Sequence, residues 1–151
     1  MLGRVLAIDI GSKRVGMAIS DESRLSVRPL PALPRTPWKR LLCSLAETCE
    51  KFDVRSIVLG LPLRLDGTEG DAAVEARRVA RNLELSLKIP LFLQDERLTS
   101  KTAEASLLAR GLDGAEISRR IDSEAASIIL SDFLAGQNND ERHPEPAQKK
   151  L

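Results

Sequence analysis

The order of the apolar segments limits the fold of this chain more than any other feature of its sequence. Two apolar segments, 4–10 and 15–20, are separated only by a Gly-Ser-Lys-Arg turn, which predicts a β-hairpin. An extended segment at about 25–33 follows, and its prolines are typical of an edge strand. Beyond it, segments of strand length alternate with helical periodicity, as in parallel strands joined by crossover helices. The sequence therefore predicts an α/β fold with one mixed five-stranded sheet and helices on both faces.

The remaining elements follow from the same patterns. The first helix is predicted to begin at Thr36-Pro37, an N-cap followed by proline. The other predicted elements are a strand at 56–60, a helix at 69–87, a strand at 89–94, and helices at about 99–110 and 123–135.

The length of 151 residues suits one domain. We expect one folded domain at residues 1–136 and a disordered tail at 137–151, where the apolar periodicity stops. Cys43 and Cys49 are too far apart along one predicted helix to form a disulfide. Free cysteines, and the absence of any long apolar run, predict a cytoplasmic protein without a membrane partner.

Asp9 lies inside the most hydrophobic predicted strand of the chain. Burying an unpaired carboxylate is costly, so this group needs a proton, hydrogen-bond donors or a cation. A simpler interpretation is that Asp9 caps the turn that follows the strand.

Two other carboxylates are expected near the same end of the sheet. Glu96 follows the fifth predicted strand, and ligand sites in open α/β sheets lie outside the carboxyl ends of strands. Asp122 stands at the head of a helical stripe that continues through Ala126, Ile129 and Phe133. Taken singly, Glu96 also suits a solvated loop, and Asp122 also suits an ordinary N-cap.

Together, Asp9, Glu96 and Asp122 predict a catalytic site that binds metal. The only histidine is in the tail, and carboxylates without His or Cys favour Mg²⁺ or Mn²⁺. We expect two ions, which suits phosphate chemistry. A glycosidase also uses a carboxylate pair. However, an aromatic content of 3% leaves few side chains on which a sugar could stack.

Basic residues near these carboxylates predict a rim that binds phosphates. Each cluster of them alone also suits a solvated face. The net charge of +1 neither indicates nor excludes a nucleic-acid partner. The segment 11–16 is not a P-loop, because it lacks the terminal Gly-Lys-Ser/Thr. The predicted nucleic-acid-binding residues are Lys13, Arg14, Arg77, Arg78, Arg97 and Arg120.

Four segments resemble, in the right order, the motifs of the YqgF (RuvX) family. Together they extend from residue 4 to about residue 135. They are the segment LAIDIGSKRVGMA at 6–18, VLGLPL at 58–63 with DGTEG at 66–70, DERLT at 95–99, and IDSEAA at 121–126 with Ile129-Leu130.

The resemblance implies an RNase H-like fold with strand order 3-2-1-4-5, in which strand 2 is antiparallel. It also implies a metal-dependent nuclease that processes the 5′ end of the 16S ribosomal RNA precursor, with RNA and ribosomal particles as partners. The acidic positions of the family fall on Asp9, Glu96 and Asp122. We expect a monomer or a weak homodimer.

Two other functions stay open. One is a Holliday-junction resolvase-like DNA nuclease, which must cut two strands symmetrically and is therefore expected to be a two-fold dimer. The other is a non-catalytic nucleic-acid-binding or ribosome-assembly factor. An actin-like ATPase is disfavoured, because that architecture needs two lobes and this chain has room for one.

Overall fold

The computed structural model describes residues 2–97, 109–111 and 114–139, and in the last of these segments it describes the side chains of residues 123–137. Within this part of the chain there are five strands and three helices. They are β1 (Arg4–Ile10), β2 (Arg14–Ser20), β3 (Val27–Pro34), α1 (Trp38–Lys51), β4 (Val54–Leu61), α2 (Asp71–Leu87), β5 (Leu91–Asp95) and α3 (Gly114–Asn139).

The five strands form one sheet with the order β3-β2-β1-β4-β5. β2 is antiparallel to both β1 and β3, whereas β4 is parallel to β1 and to β5. This arrangement confirms the predicted mixed sheet and the predicted strand order. β3 is an edge strand, as its prolines indicate, because a residue without an N–H cannot donate to a second neighbouring strand.

Each face of the sheet packs against its own helical layer. In β1, Leu6 and Ile8 belong to a core that includes residues of α1 and α2, and Val5 and Ala7 belong to a core with α3. The alternation follows from the period of two along a strand. The continuous apolar sequence of β1 is thus explained by burial on both faces.

The helices bury apolar stripes against these faces. Leu41, Leu45 and Cys49 recur at helical spacing on the buried side of α1. Ile129 and Phe133 do the same on α3. Cys43 and Cys49 are both free, as predicted, and burial raises the pKa of the Cys49 thiol to about 11. Such a thiol is a poor nucleophile at neutral pH. In the described part of the chain, no helix is long and apolar enough to cross a membrane.

Several predicted boundaries are wrong, among them the start of β4, which is Val54 rather than residue 56. α1 begins at Trp38 with Pro37 at its N-cap, and no side chain caps it, so Thr36 does not play that part. α2 begins at Asp71 rather than at residue 69. β5 begins at Leu91 rather than at residue 89.

The largest difference concerns α3, which begins at Gly114 rather than at residue 123. The added residues include alanine, glutamate and two arginines, all good helix formers that carry little apolar periodicity. Asp122 is therefore inside the helix, and the N-cap interpretation of this residue is wrong. α3 also runs past the predicted boundary at residue 136. The predicted helix at 99–110 lies mostly outside the described residues, as does the tail from residue 140 on.

Candidate functional site

Asp9 occupies the next position after Val5 and Ala7 on the face of β1 that packs against α3. It lies near the carboxyl end of the strand, opposite Gly16 of β2, and it is partly buried. A carboxylate is tolerated here because the helical layer covers the preceding residues more fully than this one.

Glu96 reaches the same region from a strand that is not adjacent to β1. It follows β5, and its backbone N–H donates to the Leu61 carbonyl at 3.1 Å. β4 lies between β5 and β1, so the outer strands are about 10 Å apart at the usual strand spacing. The Glu96 side chain must therefore cross β4 to reach Asp9.

Gly60 makes that crossing possible. A Cβ atom at this position would lie 2.8 Å from Glu96 Cδ, 2.7 Å from Ile129 Cδ1 and closer still to Glu96 Oε2. Any side chain here would occupy the space through which Glu96 extends between β4 and α3. Gly60 was not among the residues predicted to be functional. The feature that could have identified it is that it is a single glycine inside an otherwise apolar, buried strand. Such a glycine often lies where another group packs closely against the strand backbone.

The two carboxyl groups are in contact. Burial, the Asp9 charge, a hydrogen bond with Asp9 and the Asp95 charge raise the pKa of Glu96 to about 9. At neutral pH the pair therefore shares a proton, as expected for two acids that cannot both ionise at close range. A divalent cation between them would remove the need for that proton, because it neutralises both charges.

This pair makes stability depend on pH in the absence of metal. In EDTA, we expect the free energy of unfolding of the wild type, relative to Glu96→Gln, to fall as the pH rises from about 4.5 to about 9. In this window the folded state keeps a proton that the unfolded state has released, so the slope is at most about 1.4 kcal/mol per pH unit. Urea denaturation at a series of pH values measures it. The same pH dependence in both proteins would contradict the raised pKa of Glu96.

Asp122, the third predicted acidic residue, lies in α3, and its side chain is outside the described part of the structure. Among the residues whose side chains are described, no group of three or more Asp, Glu, His or Cys residues forms a metal-binding cluster. The structure thus brings together two of the three predicted residues.

Three of the predicted phosphate-binding arginines form ion pairs. Arg77 is bound by Glu69 through two contacts of 2.7 Å, and Arg78 pairs with Glu75. Arg97 contacts Asp95 at 2.8 Å. These pairs reduce the charge available to a phosphate, but each guanidinium keeps further donors.

Lys13 and Arg14 are exposed at the turn between β1 and β2, at the carboxyl end of β1. This turn adjoins the strand position of Asp9. The Arg120 side chain is outside the described part of the structure.

The loop after β4 is ordered by its own hydrogen bonds beside Glu96. The Arg64 N–H donates to the Thr68 carbonyl at 2.9 Å, and the Gly67 N–H donates to the Arg64 carbonyl at 2.8 Å. Gly67 has φ of 88°, which confirms the predicted Asp-Gly turn. Arg97 Nη1 donates to the Leu65 carbonyl at 3.3 Å. The loop is thereby connected to the residue that follows Glu96.

The family model of RuvX, described as Holliday junction resolvase, matches residues 3–136. Relatives named "Putative pre-16S rRNA nuclease" include one from Anaeromyxobacter dehalogenans strain 2CP-1, 41% identical over 87% of this chain and 96% of its own length. One from Syntrophomonas wolfei is 42% identical over 88% of this chain and 94% of its own length.

Solved structures share the fold. Thermus thermophilus RuvC in complex with a Holliday junction substrate aligns with a TM-score of 0.56 and 17% identity over 95% of this chain and 99% of that one. The fowlpox virus Holliday junction resolvase aligns with a TM-score of 0.53 and 12% identity over 88% and 99% of the two chains. The fold is therefore RNase H-like, of the type seen in RuvC resolvases.

Proposed function

The chain belongs to the RuvX family, and we propose that it is a metal-dependent nuclease that hydrolyses phosphodiester bonds in the precursor of 16S ribosomal RNA, at its 5′ end. The identity of the substrate is inferred from the names of the relatives and from the resemblance of the sequence motifs. The reaction class is supported by the carboxylate pair.

The observation that carries this proposal is the contact between Asp9 and Glu96 across Gly60. Holding two acidic side chains together, with a glycine in the strand between them, lowers the stability of the folded state. Residues that cost stability in this way are typical of functional sites. With no His or Cys at the site among the described residues, oxygen ligands for a hard cation are the chemistry that this pair offers.

Asp9 and Glu96 would hold the metal from the sheet, and Asp122 would complete the set from α3. Asp122 precedes Ile129 by two helical turns, and Ile129 contacts the Gly60 position, so the helix passes directly over the pair. A bound Mg²⁺ or Mn²⁺ supplies Lewis-acid stabilisation of negative charge on phosphoryl oxygens and activates water, and we expect two ions.

The residues of this chain position the ions, the attacking water and the substrate strand. The carboxylates of Asp9 and Glu96 would hold the ions in place, and a carboxylate oxygen of Glu96 can accept a hydrogen bond from the attacking water and so orient it. Lys13 and Arg14 lie where they can hold neighbouring phosphates of the strand. We expect Arg77, Arg78, Arg97 and Arg120 to contribute further positive charge along the path of the substrate strand. The ordered loop after β4 borders the site and limits the paths by which a strand can enter it.

The test of this function is a substrate panel. The wild type is expected to cleave an RNA that spans the 5′ end of the 16S precursor in Mg²⁺ or Mn²⁺, and EDTA is expected to abolish cleavage. A single-stranded DNA of the same sequence and a four-way DNA junction serve as comparisons. Junction cleavage alone would favour a resolvase, which the description of the family supports. RNA binding without cleavage of any substrate would favour a ribosome-assembly factor.

Metal binding can be measured apart from cleavage. Adding Mg²⁺ or Mn²⁺ to the metal-free protein is expected to raise its melting temperature. The gain in unfolding free energy is about 2.7 kcal/mol at a hundredfold excess of metal over the dissociation constant. Glu96→Gln is expected to lose most of this gain. A similar rise in both proteins would indicate that the ions bind elsewhere.

We further propose that the protein works in the cytoplasm, on RNA free or within ribosomal particles, as a monomer or a weak homodimer. Sedimentation of the pure protein measures the oligomeric state. A stable two-fold dimer would favour junction cleavage, because two strands must then be cut symmetrically.

A further inference from the structure

A cavity of about 460 Å³ opens between the end of β1, the start of α1 and the middle of α2. We call it the β1-end cavity. Leu41 and Val79 form an apolar part of its wall, and Arg35, Arg78 and Asn82 form a polar part. Its volume is in the range of sites that bind small organic molecules. Apart from the phosphate contact expected of Arg78, no step of the proposed function uses it.

Trp38 also lines the β1-end cavity, and it is the only tryptophan of a chain that has no tyrosine. It is 36% exposed. By contrast, Phe92 and Phe133 are buried against each other in the core, with ring centroids 5.5 Å apart. Since an accessible indole is an effective stacking surface for a nucleobase, this wall of the cavity fits a base.

Two guanidinium groups beside the indole fit a phosphate. Arg35 Nη1 donates to the Gly11 carbonyl at 2.9 Å, and its Nη2 lies 3.4 Å from Glu75. Arg78 pairs with the same oxygen of Glu75. Two positive charges and one negative charge leave one net positive charge, which equals the charge needed to neutralise one phosphodiester. Arg35 is already held in place, so binding costs little side-chain entropy.

The β1-end cavity lies at the same end of the sheet as the carboxylates, on the other face. Ile10 lines it, and Asp9 is the residue before Ile10. Because neighbouring side chains of a strand point to opposite faces, the cavity and the carboxylate pair are separated by the end of β1. A strand that crosses this end of the sheet can therefore occupy both.

We propose that the β1-end cavity binds one unpaired nucleotide of the substrate strand. The base stacks on Trp38, and the phosphate is held by Arg35 and Arg78. This inference rests on the proposed nuclease function and adds a requirement to it, since only a nucleotide free of its pairing partner can enter. The enzyme would then act beside single-stranded segments of the precursor rather than within a continuous duplex.

The single tryptophan makes this site directly observable. In the Asp9→Asn protein, in which cleavage is expected to be slow, Trp38 emission is measured while a single-stranded RNA, the same RNA as a duplex, or AMP is added. Binding of the RNA is measured in parallel by anisotropy of a label at its end. Single-stranded RNA is expected to quench Trp38, and the duplex is not. If AMP alone also quenches, the site is supported and free nucleotides are a second source of the ligand.

Three variants in the same background complete the test. Trp38→Leu and Arg78→Ala are each expected to weaken binding of single-stranded RNA roughly tenfold. Trp38→Phe keeps an aromatic ring and is expected to lose less affinity for single-stranded RNA than Trp38→Leu. Arg55→Ala is the matched control, because its side chain is exposed to a similar degree, 59% against 62% for Arg78, and is also paired with one carboxylate, at the opposite end of the sheet.

The outcomes separate this inference from the nuclease proposal. If RNA binds while Trp38 emission stays constant and Trp38→Leu binds as tightly as its parent, the cavity proposal is wrong and the nuclease proposal is unaffected. Equal quenching by duplex and single strand would overturn the requirement for an unpaired nucleotide. If the wild type neither binds nor cleaves RNA, both proposals fail together.

Discussion

Replacing Asp9 with asparagine is expected to lower the rate of metal-dependent cleavage by roughly a hundred- to a thousandfold, the size of effect seen when one charge-stabilising group is removed from an active site. Asparagine keeps the shape of the side chain but loses the charge that binds a cation. The measurement is single-turnover cleavage of the precursor RNA at saturating Mg²⁺. The fold should survive, because asparagine keeps the shape of the side chain and its amide oxygen can still accept a hydrogen bond from protonated Glu96.

The matched control for this change is Asp53→Asn. Asp53 is also an aspartate at the end of an element, but it is 79% exposed and lies at the opposite end of the sheet. Its φ of 52° is one that asparagine adopts readily, so folding is not disturbed. A loss of rate in Asp9→Asn no larger than in this control would remove Asp9 from the mechanism.

The second large effect is expected from the smallest possible change, Gly60→Ala. The added methyl group would meet both Glu96 and the Ile129 side chain, whose Cδ1 would be 2.7 Å away. Overpacking of this kind costs on the order of 1–3 kcal/mol of stability. We also expect a loss of cleavage of about a hundredfold, since a displacement of roughly 1 Å at a catalytic group has effects of that size.

Two further variants show whether the loss arises at Glu96. Gly136→Ala adds the same methyl group to a glycine of α3 with nothing within 4 Å, and it is expected to raise stability by roughly 0.5–1 kcal/mol. Glu96→Ala in the Gly60→Ala background removes the main clash, so the double variant should unfold less easily than Gly60→Ala alone while staying inactive. Additive effects of the two changes would show that Gly60 does not make room for Glu96.

The sheet could be predicted from the sequence because its signals are local. The hairpin turn, the proline-rich edge and the apolar strands each indicate their own structure without reference to the rest of the chain. The start of α3 could not be predicted from the sequence, because residues 114–122 are mostly polar and their helical conformation depends on tertiary context. The same difficulty affects Arg77, whose pairing with Glu69 joins the loop before α2 to its second turn.

For the candidate site, the types of residue in the sequence indicated carboxylate chemistry. The spatial arrangement of these residues could be seen only in the structure. Asp9 and Glu96 were singled out because a charge inside an apolar strand, and a charge at a strand end, are unusual. Their contact depends on β4 lying between them and on the absence of a side chain at Gly60. It is a relation among three strands, and the spacing of residues along the chain does not reveal it.

The crossing of Glu96 over β4 also has a consequence for the order in which the molecule acquires its activity. The pair joins residues 9 and 96 through a strand that itself must first bind to β1 by parallel pairing. Contacts between residues so distant in sequence carry a large loop-closure cost and form late. The hairpin of β1 and β2 can form early from neighbouring residues, but the carboxylate pair exists only after β5 has joined the sheet. A nascent chain released before residue 96 therefore lacks this pair and, on the proposed function, is unable to cut RNA.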